Sequence, residues 1–104
     1  MNDPQTGPIL TQEALSLLER FHHFPGDYMF KVIGFGAEEF TTAVRQAAEA
    51  VLGPLGEAGG RLHSRPSRGG RYTAVSLEVK VVDAQQVLEV YAAFKRVQGV
   101  VVLV

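Results

Sequence analysis

The stretch Tyr72–Val81 constrains this chain more than any other. Thr73, Val75, Leu77, Val79 and Val81 occupy every second position, and Tyr72, Ala74, Ser76, Glu78 and Lys80 alternate with them. A period of two sends the first set to one face of a β-strand and the second to the other, so the strand has one buried face and one wetter face. Amphipathic helical patterns stand on both sides of it in the chain. Phe40, Val44, Ala47, Ala48 and Val51 form an apolar stripe over about 37–52, with Glu38 and Glu39 in the first turn and Gly53-Pro54 as the stop. Val87, Val90, Tyr91, Phe94 and Val97 form a second stripe, opened by Asp83 as cap with Gln86 three residues later, close to a capping box.

Three further runs read as strands. Tyr28–Gly34 places Tyr28, Phe30 and Val32 on one face and Met29, Lys31 and Ile33 on the other, and Gly34-Phe35-Gly36 frees the backbone to turn. Arg61–Pro66 reads as a short edge strand joined to Tyr72–Val81 through a Gly69-Gly70 hairpin. Val100–Val104 is a final strand. Ahead of these, residues 1–8 read as a mobile tail and 9–23 as a helix. Thr11 is its candidate cap, Leu10, Ala14, Leu17, Leu18 and Phe21 its stripe, and Pro25-Gly26 the turn that follows. The order strand, helix, strand, strand, helix, strand predicts an α+β, ferredoxin-like sandwich over 24–104. It has a four-stranded antiparallel sheet with two helices on one face, plus the extra N-terminal helix. The first and third strands are then central. The unbroken apolar run at Val100–Val104 suits a strand covered on both faces. The N-terminal helix is expected to cover the outer face, packing on Met29 and Ile33, and a second subunit of a homodimer is the other available cover.

Length and composition narrow the functional classes. At 104 residues the chain is one domain by size, and its net charge of −1 exerts no overall pull toward nucleic acid or membrane. The absence of cysteine excludes thiolate nucleophiles, disulfides and thiolate metal sites. No targeting pattern and no apolar run of membrane-spanning length is present, so a cytoplasmic location is expected.

Phe24-Pro25, Tyr28–Gly34, Pro66–Ser76 and Gln86–Tyr91 together, in this order and spacing, resemble the YbeD-like family of bacterial domains of unknown function. The resemblance covers about 24–104. It implies a βαββαβ fold similar to ACT-type regulatory domains, no established enzymatic activity, and a suggested link to the regulation of lipoate metabolism. The N-terminal helix is a departure from the pattern.

Two segments stand out as candidate sites. Arg61, Arg65, Arg68 and Arg71, with His63 and no acid among them, form the one local charge excess, suited to an anion or a protein partner through paired guanidinium donors. A solvated hairpin that resists edge pairing is the plainer reading. Gly34, Phe35 and Gly36 lie where a strand meets a helix N-terminus, and by resemblance to ACT domains a small effector such as an amino acid sits there. Glu38 and Glu39 argue against phosphate at that point. A turn that needs a flexible backbone is the plainer reading.

No metal or cofactor is expected. His22, His23 and His63 have no ligand spacing, and the serines have no identifiable base. The expectation is a non-enzymatic regulatory or adaptor domain that binds a small effector or a protein. An RNA- or nucleotide-binding domain using the hairpin 61–71 is the alternative. Nucleic acid is disfavoured because the Tyr72 face carries one aromatic, where an RNA-binding sheet presents several.

Overall fold

The alternation at Tyr72–Val81 is realised as one of the two ten-residue strands of a four-stranded antiparallel sheet. The computed structural model describes residues 6–57 and 59–104, with side chains from Gln12 onward. Its elements are α1 (Thr6–Phe21), β1 (Gly26–Phe35), α2 (Glu38–Leu52), β2 (Arg61–Pro66), β3 (Tyr72–Val81), α3 (Ala84–Lys95) and β4 (Val100–Leu103). The strand order is β2-β3-β1-β4, so β1 and β3 are central as expected. With α2 and α3 packed on one face, the architecture is the ferredoxin-like α+β sandwich.

The core lies between that sheet face and the helices. Phe30 and Val32 of β1 meet Val75, Leu77, Val79 and Val81 of β3, and Phe40, Val44 and Ala48 of α2 and Val87, Val90 and Phe94 of α3 close over them. Leu55 joins the core from the loop after α2. Its N–H donates to Glu49 Oε2 at 3.2 Å. At the start of α3, Asp83 accepts from the Gln86 N–H at 2.9 Å. The Gln86 side chain reaches back to the N–H of Val82, one residue earlier than a standard capping box.

Two expectations are corrected. The first concerns α1. Helix begins by Thr6, so Thr11 is an interior position, not the cap, and the first five residues of the expected tail and the side chain of Leu10 lie outside the described part. The helix docks beside α3, with Leu18 against the core, and does not cover the outer sheet face. Met29 stays 47% exposed there, and Leu17 and Phe21 of the helix are open. The reason is an aromatic spine that fixes the end of α1 on the helical side. His22 sits 4.9 Å from the Tyr28 ring, Tyr28 4.7 Å from Phe30, and Phe30 5.1 Å from Tyr91 and 5.7 Å from Phe94 in edge-to-face contacts.

The second correction concerns β4, which is not buried on both faces. The register runs Ile33↔Val102 and then Gly34↔Val100, so Val101 is the extra residue of a β-bulge. The bulge turns Val100 and Leu103, three apart, toward the core and leaves Val101, Val102 and Val104 open.

Tyr91 carries a pH-dependent part of this packing. Burial first, then the hydrogen bond to the Tyr28 hydroxyl at 3.3 Å and its proximity, push the Tyr91 phenol well above the ordinary tyrosine range. The folded state therefore favours the neutral phenol. This contribution is complete below the unfolded value of about 10 and is lost as pH rises through the higher folded value. Urea midpoints measured upward from about pH 10 are expected to fall, and to fall less steeply in Tyr91→Phe. An identical alkaline slope in the two proteins would contradict this.

Candidate functional site

The two segments singled out from the sequence meet at one end of the sheet. Phe35 is not in a turn. It is the last residue of β1, paired with Tyr72 at the start of β3. The two rings lie side by side on the outer face, with centroids 4.9 Å apart and planes tilted by 35°. The hairpin that carries Arg68 and Arg71 closes immediately beside them. The Ser67 N–H donates to the Tyr72 carbonyl at 2.8 Å, and the Tyr72 N–H donates to Ser67 Oγ at 3.0 Å. Gly69 and Gly70, at φ 87° and 77°, supply the left-handed turn that ordinary residues resist. Behind the pair, the buried Thr73 hydroxyl donates to the Gly36 carbonyl and ties β3 to the β1–α2 junction.

Gly34, Phe35 and Gly36 have different roles. Gly34 is a packing residue, since a Cβ there would run into the Phe40 ring and come within 2.6 Å of the Gly99 carbonyl. Gly36, at φ 110°, makes the turn into α2. Phe35 and Gly36, with Glu39, Phe40 and Ala43 of α2 and Gln98 and Gly99 before β4, line an open groove of about 700 Å³. The Phe35 N–H donates to the Gly99 carbonyl at 2.9 Å and fixes the floor. No side chain caps α2, whose first bonds run from Phe40 and Thr41 to the Ala37 carbonyl, and Glu39 of its first turn borders the groove. Glu39 is the one charged residue in the lining.

The four arginines also separate. Arg61 pairs with Glu78 across β2 and β3. Arg65, Arg68 and Arg71 are exposed and form no ion pair among the described residues. Arg65 joins Lys31, Ile33, His63, Ala74, Ser76 and Val104 around a trough of about 170 Å³ on the outer face. Lys31 was not read as a site residue from the sequence, and Phe35 was read as part of the strand–helix junction, not of the outer face. The signal was available, because Met29, Lys31, Ile33 and Phe35 continue one alternation along β1. His22 is held against Tyr28, His63 lies on β2, and among the described residues no three potential metal ligands gather.

A family model described as "Protein of unknown function (DUF493)" matches residues 19–104, beginning in the last turn of α1. A UPF0250 protein of Paraburkholderia phytofirmans is 32% identical, across 75% of this chain and 85% of its own length. Among solved structures, the solution structure of protein HP0495 from H. pylori superposes with a TM-score of 0.65, over 80% of this chain and 85% of that one, at 14% identity. A likeness at that identity concerns the fold alone.

The contact at Gly34 gives a direct check on how this end of the sheet is built. Gly34→Ala is expected to cost about 1–3 kcal/mol, as overpacking in a closed site does, read as a lower urea midpoint with an unchanged slope. An unchanged midpoint would show that Phe40 and Gly99 yield without penalty.

Proposed function

The chain belongs to the DUF493 family, and we propose that it is a non-catalytic regulatory domain whose groove at the β1–α2 junction binds a small amino acid-like effector. The groove itself carries this reading. Phe35 and Ala43 line it above the buried Phe40, its rim includes Glu39 in the first turn of α2, which no side chain caps, and Glu39 is its single charge. Uncapped N–H groups at a helix start attract a carboxylate. A glutamate beside them attracts an ammonium group and repels phosphate. A zwitterion matches both, with its side chain on the Phe35 ring. The fold supports the reading by analogy with ACT-type domains, and the analogy extends to a cytoplasmic setting.

Thermal shift with a panel of amino acids and short carboxylic acids, lipoate among them, tests the proposal. At least one amino acid is expected to raise the Tm by several degrees at saturation, as binding to the folded state alone requires. Ala43→Trp, which fills the groove from α2, is expected to abolish the shift. A flat panel, or a shift that survives Ala43→Trp, would overturn the assignment.

A further inference from the structure

Charge is divided unevenly between the two faces of this molecule. The outer sheet face and its hairpin carry Lys31, Arg61, Arg65, Arg68, Arg71 and Lys80 against only Asp27 and Glu78, in a chain whose net charge is −1. Of the two acids, Glu78 is taken up by its ion pair with Arg61, and Asp27 stands opposite Lys80 in the β1–β3 register. Lys31, Arg65, Arg68 and Arg71 form no ion pair among the described residues. A surface of this sign selects an anionic partner and disfavours a second copy of the same face.

The apolar part of the face specifies what kind of anion. Phe35, 52% exposed, and Tyr72 stand side by side on the two central strands. Next to them, small Ala74 and Ser76 leave the trough that Lys31 and Arg65 border. Neighbouring aromatic faces on an open sheet, with cations on their flanks, suit stacked bases joined by phosphates. Every base offers a π-face, and the backbone charge repeats along the strand. A carboxylate-rich protein would satisfy the arginines but would have no use for the paired rings.

We propose that this face binds single-stranded nucleic acid, with bases stacked on Phe35 and Tyr72 and phosphates held by Lys31, Arg65 and the hairpin arginines Arg68 and Arg71. Sequence selectivity is weak in such a site, because stacking and charge, not base-edge hydrogen bonds, supply the affinity. This surface shares Phe35 with the effector groove but requires no effector.

Fluorescence anisotropy of a short labelled oligouridylate, titrated with the full chain at several salt concentrations, tests it. Four phosphate contacts predict a slope of log K against log salt of about −3, and Arg65→Gln is expected to reduce its magnitude by about 0.7. Phe35→Ala and Tyr72→Ala are each expected to weaken binding at least about fivefold, the low end of a lost base stack. Tyr72→Phe is expected to keep it, and circular dichroism checks that each variant is folded. If Tyr72→Ala unfolds, Phe35→Ala alone decides. No salt-dependent binding at low ionic strength would overturn the proposal. So would binding that depends on Arg65 but not on Phe35, equal binding to polyglutamate, or a stable dimer that hides Tyr72. Ala43 lies on α2, so Ala43→Trp is expected to keep salt-dependent oligonucleotide binding that still responds to Arg65→Gln and Tyr72→Ala, which separates this result from that of the groove.

Discussion

The pairing of β1 with β3 is the constraint on which the rest of the molecule depends. Ten consecutive residue pairs, from Gly26↔Val81 to Phe35↔Tyr72, lock the two central strands in one register. A slip of β3 by one residue would carry its four inward apolar residues Val75, Leu77, Val79 and Val81 to the wet face, at about 1.5–3 kcal/mol for each large side chain exposed. The same register that buries these residues presents Met29, Lys31, Ile33 and Phe35 outward. Core and candidate surfaces are therefore two consequences of one alignment.

Most of the fold was legible in the sequence because its patterns were local and agreed with one another. The alternation at Tyr72–Val81, the stripes at Phe40–Val51 and Val87–Phe94, and the Asp83 cap each demanded one element type, and their order left few topologies. What was not legible was decided by long-range packing. Nothing local reveals that Leu18 and the aromatic spine through His22, Tyr28 and Phe30 draw α1 beside α3. Nor does a run of five apolar residues disclose that Val101 is a bulge, which spends the hydrophobicity of β4 on both a core side and an open side.

The candidate sites show the same division. The arginine-rich hairpin and the Gly34-Phe35-Gly36 junction were both visible as segments, but not that the fold brings them to one end of the sheet. Glycine on both sides of Phe35 read as a break. In the structure Gly34 stays in the strand because Phe40 and Gly99 crowd it, which carries Phe35 one step further to stand beside Tyr72. A face judged from Tyr72 alone has one aromatic, and the assembled face has two.

The account rests on an outer sheet face left open by α1. Because the chain has no cysteine, single cysteines introduced one at a time report on each face without background. In the native protein, Met29→Cys and Val102→Cys are predicted to react with a maleimide nearly as fast as in urea, while Val32→Cys stays protected until the protein unfolds. Protection of Met29→Cys and Val102→Cys in the monomeric native state would contradict the account, because it would mean that another part of the chain covers that face.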